Sequence, residues 1–241
     1  MEGGAFTGWI AETYDALHDP RETDLAVECL AELAGGGPAL EFAVGTGRLA
    51  LPLAERGVAM SGIELSPDMI AKLREKPGGA GILVVQGDMA TAEVPGSFSL
   101  VLLAFNTIMN LTTQAEQVAC FENAARHLAP GGRFVIEVLV PPLRRLPPGE
   151  THRIFAGYDD HWGADEFDPA TQSLTSHHIW VVDGQARTFS LPLRYVWPSE
   201  LDLMARIAGL VPLARWEDWS RAPFTADSPR HVSVWEKPID A

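Results

Sequence analysis

The chain has 241 residues, 46% hydrophobic and 21% charged, a size and balance that suit one large domain with a sizeable buried core. Its formal charge of −14 repels phosphate backbones and anionic lipid headgroups, and the densest cationic spots, Arg144-Arg145 and Lys72-Arg74-Lys76, are short and diluted by acids or prolines. Nucleic acid and membrane surfaces are thereby excluded as expected partners, and Cys29 and Cys120, each among helix-forming apolar residues, read as buried thiols rather than a disulfide or a metal site.

The opening Met1-Glu2-Gly3-Gly4 lacks the basic head and apolar run of a signal peptide, and no stretch reaches membrane-spanning length, so a cytoplasmic protein is expected. Residues 1–24 read as an N-terminal helical cap. Leu25 to Leu33 then carries apolar residues at helical spacing and stops at Gly35-Gly36-Gly37. Pro38 to Val44 is a strand, and Gly45-Thr46-Gly47 turns it into a helix through about Glu55. The unit repeats: strand Val58 to Glu64, helix Pro67 to Glu75, strand Ile82 to Gln86, strand Phe98 to Phe105 and helix Gln114 to Leu128. Pro130-Gly131-Gly132 then turns into the strand Arg133 to Val140. This alternation over residues 25–140 predicts a doubly wound α/β domain with a mostly parallel sheet covered on both faces.

Beyond it the pattern changes. Residues 141–197 read as an antiparallel β subdomain, with turns at Asp159-Asp160, Asp168-Pro169 and Asp183-Gly184. In the closing part, residues 198–241, Ser199-Glu200 caps a helix through Ala208, Gly209 stops it, and strands near Val211 to Trp219 and Val232 to Glu236 rejoin the main sheet.

The first turn carries the chemistry. Glycines at 45 and 47 let the backbone approach a ligand closely, and the next helix offers N–H groups, but Gly45-Thr46-Gly47-Arg48-Leu49-Ala50 also satisfies the dinucleotide pattern. Glu64 ends the second strand, where a carboxylate accepts both ribose hydroxyls of an adenosyl group; either cofactor class asks for it. Glu41, ahead of the turn, discriminates. It would hold the amino group of a methionyl moiety charge to charge, whereas beside a pyrophosphate it would be repelled. In Gly87-Asp88-Met89, after the third strand, Asp88 accepts from an adenine amino group and Met89 packs beside the ring.

With Leu40 to Leu49, Gly62 to Ile70, Gly87-Asp88-Met89 and His127 to Arg133, the chain resembles the class I S-adenosylmethionine-dependent methyltransferases over roughly its first 140 residues. The resemblance implies a seven-stranded sheet whose last strand is antiparallel to the rest, with S-adenosylmethionine as cofactor. It also implies cofactor contacts from Ala43, Gly45, Gly47, Arg48, Leu65 and Met69. Ala43 stands where the family often has glycine. Tyr14-Asp15, Glu64-Leu65-Ser66 and the strand-rich insertion before Pro198 make the chain similar to bacterial secondary-metabolite enzymes, including aminosugar N-methyltransferases. That likeness implies that Tyr14 closes the pocket over the cofactor and, with His127, takes a catalytic part; at the end of a helix a histidine is favoured by the dipole alone.

Methyl transfer from a sulfonium needs an aligned nucleophile and excluded water more than it needs a strong base. Phe105 and Asn106, just past the fourth strand, are candidates to face the cofactor, and Asn106, Met109 and Asn110 to face the acceptor. In the hairpins, Trp162, His178 and Tyr195 are candidate acceptor contacts; on a strand from Leu174 to Val182, His178 and Trp180 share a face and His177 points the other way. Adjacent strand residues diverge, so no metal is expected. The expected acceptor is the amine or hydroxyl of a small secondary metabolite, with carbon methylation of an electron-rich ring as runner-up. A nicotinamide oxidoreductase and a silent binding module are the rivals from other classes. Whether the chain forms a homodimer stays open.

Overall fold

The computed structural model describes residues 6–17, 20–182 and 184–239. In chain order it has α1 (Trp9–Thr13), α2 (Pro20–Ala34), β1 (Ala39–Phe42), α3 (Ala50–Glu55), β2 (Met60–Glu64), α4 (Pro67–Glu75), β3 (Leu83–Gln86), β4 (Phe98–Leu103), α5 (Gln114–His127) and β5 (Leu128–Leu139). There follow β6 (His152–Gly157), β7 (His161–Asp168), β8 (Ser173–Val182), β9 (Gln185–Arg194), α6 (Pro198–Ile207), β10 (Val211–Trp216) and β11 (Arg230–Glu236).

Helices α4 and α5 start where a side chain supplies a cap. Ser66 Oγ accepts the Met69 N–H at the head of α4, Pro67 occupies its first turn, and Lys72 and Arg74 sit at its negative end. Thr113 and Glu116 form a reciprocal capping box on α5. Three expectations are corrected. The cap of α6 is Trp197, with Pro198 rather than Ser199-Glu200 opening the helix, because proline's missing N–H and preset φ suit the first helical position. The helix read from Leu25 begins at Pro20. Strand β5 begins at Leu128 and includes the Pro130-Gly131-Gly132 turn, with a shift in its ladder to β4 before Arg133. Of the hairpin turns, Asp183 lies outside the described residues.

The main sheet has the order β10-β11-β5-β4-β1-β2-β3. β1 to β5 are parallel; β11 runs antiparallel to both β5 and β10. Alternation along the central strands divides two cores. Leu40, Phe42, Val101 and Leu103 face α5, α6 and the buried feet of the hairpins, while Ala39, Leu100 and Leu102 face α2 and α3. Both faces are covered, which is why β1 is buried along its whole length. The chain runs outward from β1 to β3 and then returns to lay β4 against β1, so a crevice opens between the carboxyl ends of β1 and β4.

β6 to β9 form a separate antiparallel sheet whose register pairs Gly163 with His178 and His178 with Phe189. Phe167, Leu174 and Tyr195 bury its foot in the α5 and α6 core. Among the described residues no helix is long and apolar enough to cross a membrane, and no three His, Cys, Asp or Glu side chains cluster as a metal site. Both cysteines are buried and free.

Candidate active site

The turn after β1 has the shape that its sequence foretells, with one substitution absorbed. Ala43, Gly45 and Gly47 all adopt positive φ, at 52°, 57° and 84°. The glycines serve different ends. A Cβ on Gly45 would make ordinary contact with Met69, whereas one on Gly47 would lie 2.3 Å from Leu73 Cδ1, so Gly47 lets α4 pack against the turn. The Glu64 carboxylate receives the Gly45 N–H at 2.9 Å and the Ser66 N–H at 2.8 Å, tying the ends of β1 and β2 together. Glu41 is buried beside them. Burial, partly offset by Arg48, pushes its carboxyl up to about 8, and Oε2 has no hydrogen-bond partner. A buried acceptor oxygen left unpaired suits a cationic donor brought by a ligand.

The segment that begins at Phe6 lies across this turn. Ser66 Oγ donates to the Phe6 carbonyl at 2.6 Å, and the Gly8 N–H reaches Asp68 at 2.7 Å. Farther along, Asp15 accepts from Thr46 at 2.5 Å and pairs with Lys76 at 2.6 Å. Tyr14 is held between, in the field of Arg48, Glu64 and Glu41, and burial pushes its hydroxyl up to about 12.

On the β4 side, Phe105 and Asn106 both take left-handed backbone, φ 57° and 62°. Glu137 of β5 holds them. Its Oε2 receives the Phe105 N–H at 3.0 Å, its backbone carbonyl receives the Asn106 N–H at 3.0 Å, and Asn106 Oδ1 accepts from Leu139 N at 2.7 Å. The Arg48 guanidinium lies 5.4 Å over the Phe105 ring and bridges the crevice. Met109 is fully buried beneath, and Asn110 Oδ1 is a second buried oxygen without a partner. Glu137 was missed at the sequence level, although a lone acid in the apolar run Phe134 to Val140 is the kind of signal that could have found it.

The remaining candidates divide. Asp88 Oδ1 accepts from Ala90 N at 2.8 Å and Met89 is buried, while Leu65 stays exposed at the rim of the β2 turn. His127 is committed to structure: Nε2 receives the Val94 N–H at 2.9 Å and Nδ1 donates to the Asn123 carbonyl at 2.8 Å, with Phe42 and Phe98 against the ring. Tyr195 is fully buried against Phe167 and Trp197. Trp162 pairs with Ile179 on the outer face of the four-stranded sheet, away from His178. The inner face carries Asp165, Ser176, His178, His161, Trp180 and Phe189. Phe6 connects it to the crevice, its ring 5.9 Å from Tyr14 and 6.4 Å from Phe189. A separate hollow of about 480 Å³ at the opposite end of the strands, lined by Pro38, Val58, Ser97 and their neighbours, contains no titratable side chain.

Residues 39–132 match a family model described as a methyltransferase domain. The CcbJ methyltransferase of Streptomyces caelestis is 38% identical, with 98% of each chain covered and a TM-score of 0.87. A cypemycin N-terminal methyltransferase from Streptomyces sp is 27% identical over 207 residues, 84% of either chain. The dTDP-3-amino-3,6-dideoxy-alpha-D-glucopyranose N,N-dimethyltransferase of Streptomyces fradiae is 34% identical over 140 residues, 55% of this chain and 54% of that one.

Proposed function

This chain belongs to the methyltransferase family, and on that premise we propose that it moves the methyl group of S-adenosylmethionine to the amine, or secondarily the hydroxyl, of a small metabolite. The observation that carries the cofactor assignment is Glu41 Oε2, a buried acceptor without a partner at the tip of β1. The methionyl ammonium of the cofactor answers it; the pyrophosphate of a dinucleotide would add a second negative charge. Glu64 takes the ribose hydroxyls, Asp88 the adenine amino group and Met89 the ring. Gly45 and Gly47 let the backbone approach, with Ala43, Leu65 and Met69 shaping the same cradle.

Bound S-adenosylmethionine supplies an electrophilic methyl on a sulfonium. The chain aligns the acceptor and excludes water. Tyr14, under the segment from Phe6, closes one side of the crevice, while Phe105, Asn106 and Asn110 form the other, with Met109 packed behind them. His127 supports the loop after Met89 rather than the reaction. Nitrogen is favoured over oxygen because two of the relatives, the cypemycin and the aminosugar enzymes, are named as an N-terminal methyltransferase and an N,N-dimethyltransferase. The −14 charge keeps nucleic acid out of the acceptor class. No observation favours carbon methylation.

Calorimetry with S-adenosylhomocysteine and with NAD, followed by incubation of labelled cofactor with a small-metabolite extract, tests the reading. Binding of the homocysteine product and label in a low-mass product are expected. Binding of NAD alone, or label only in protein and RNA, would reverse it.

A further inference from the structure

The foot of the four-stranded sheet is joined to the main domain by a buried polar network. Arg194, the last residue of β9, donates from Nη1 to Gln117 Oε1 at 2.5 Å and from Nη2 to Glu200 Oε1 at 2.7 Å. Gln114 Nε2 donates to the same Glu200 oxygen at 2.8 Å, and Gln172 Nε2 to the other at 2.9 Å. Burial alone would raise the Glu200 carboxyl, but the bonds from Gln172, Arg194 and Gln114 hold it below its ordinary value. The joint therefore stays ionic at neutral pH. Gln172, in the turn between β7 and β8, has φ 60° and also donates to the Tyr195 carbonyl at 3.0 Å, so its left-handed backbone is anchored twice.

Gln117, on α5, is fully buried and reaches in two directions. Its Nε2 donates to the Arg194 carbonyl at 3.1 Å and to the Ile108 carbonyl at 3.3 Å. The orientation of the amide is forced, because Oε1 faces a guanidinium, which only donates. Both Nε2 protons are then spent on the two carbonyls. Ile108 lies in the short 3-10 turn Thr107–Asn110, on the acceptor side of the crevice. Glu137 fixes the approach to that turn through Phe105 and Asn106; Gln117 fixes the turn itself, two residues before Asn110 and its unpartnered buried Oδ1. Of the bonds in this joint, only the one to Ile108 leads to the crevice. The others serve the foot of the sheet.

We propose that Gln117 is a positioning residue for methyl transfer: by holding the Ile108 carbonyl and the end of β9 on one amide, it sets the gap between the acceptor side of the crevice and the four-stranded sheet. The proposal rests on the methyltransferase reading and deepens it by assigning the side chain that places the acceptor. Gln117 touches no reacting group and acts through the turn. In-line transfer depends on the distance and angle of the nucleophile, and a misplacement of about 1 Å costs on the order of a hundredfold in rate. A side chain that fixes both walls of the gap therefore governs rate. The cofactor cradle at the ends of β1, β2 and β3 receives no bond from Gln117, so cofactor affinity stands apart from it.

The test compares the full chain with Gln117→Glu, which keeps the acceptor for Arg194 and removes both donated bonds, and with Gln117→Met, which removes all three at similar side-chain length. Asp202→Asn is the control for lost stability alone, since Asp202 accepts from Arg215 and Trp235 in a joint with no bond to the turn. Transfer of labelled methyl into the low-mass product is followed along serial dilutions of the small-metabolite extract, which gives a maximal rate and a half-saturating dilution. Each Gln117 variant is expected to lose at least about tenfold in maximal rate, while the half-saturating dilution and the affinity for S-adenosylhomocysteine stay within about threefold. Asp202→Asn should melt earlier and keep its maximal rate within about threefold. Hydrogen exchange of the product-saturated proteins supplies a second readout: amides of residues 105–111 should exchange at least about tenfold faster in the Gln117 variants, relative to those of β1, and not in the control. A maximal rate within about threefold of the parent in either Gln117 variant, an equal loss in the control, or unchanged exchange in the turn overturns the proposal. Gln117 variants that no longer bind the homocysteine product have lost the fold, and that outcome overturns it too. A parent chain that labels nothing fails the methyltransferase reading instead, and the exchange comparison still decides whether Gln117 holds the turn.

Discussion

Glu137 Oε2 lies 3.0 Å from the backbone nitrogen of Phe105 and receives its N–H, while Oε1 receives the Trp219 indole N–H at 2.8 Å. One carboxylate thus ties the turn after β4 to the segment between β10 and β11. It also supports two successive non-glycine residues in left-handed backbone, a conformation that persists only when its surroundings enforce it. Glu137→Ala would leave both donors unpaired and release the turn. A stability loss of about 2–3 kcal/mol is expected, with kcat falling more than affinity for the homocysteine product. Chemical denaturation and steady-state kinetics check it; a variant with normal kcat would show that the Phe105 turn does not need this anchor.

Glu41 couples cofactor binding to pH. Burial is the main cause that raises its carboxyl from the ordinary 4.5 to about 8, so folding favours the protonated form. The stability this brings is complete below pH 4.5 and is lost as pH rises toward 8. Glu41→Gln should therefore be more stable than the parent, in the free protein at pH 8, by roughly 1–3 kcal/mol. Its affinity for S-adenosylhomocysteine should nonetheless fall tenfold or more, on the order of a lost charge-assisted bond. Because the ligand ammonium favours the carboxylate, binding at pH 7 should release a proton in the parent and none in the variant. Calorimetry in buffers of different ionisation enthalpy measures that difference, and equal proton release in both would remove Glu41 from the ammonium site.

Gly47 and Gly57 separate packing from backbone strain. Both have positive φ, 84° and 87°, but an added Cβ would lie 2.3 Å from Leu73 at Gly47 and meets nothing within 4 Å at Gly57. Alanine at 57 should cost about 1–2 kcal/mol, the conformational term alone. At 47 the displaced Leu73 adds to it, for roughly 3–5 kcal/mol in all. Thermal melts of the two variants provide the comparison; equal losses would mean that α4 moves away without penalty.

His127 is expected to behave as a structural histidine. Its two nitrogens already serve Val94 and Asn123, 33 and 4 residues away. Removing the ring leaves a buried backbone donor and a cavity beside Phe42 and Phe98, so His127→Ala should lose about 2–4 kcal/mol of stability. The pH profile of kcat/KM should keep its shape. A lost or displaced limb in that profile would restore His127 to the reaction.

Local patterns made most of the fold legible. Alternating periodicities placed β1 to β4 and their helices within a few residues, because hydrogen bonding and burial repeat at short range along each element. The acid at 41, the glycines of the first turn and the acid at 64 are likewise strand-tip features, readable from their neighbours, and strand parity sufficed to separate His178 from His177. Other matters were decided only in three dimensions, because their partners are distant in the chain. Asp15 meets Thr46 across 31 positions, Gly8 meets Asp68 across 60, and Trp219 meets Glu137 across 82. No periodicity reports such pairings. The same is true of Trp162, whose side of the sheet follows from register, and of His127, whose helix-end position said nothing of Val94. The sequence by itself determined which chemical groups stand at the ends of the strands; tertiary packing decided which of them are held, which are left facing a ligand, and which are spent on the fold.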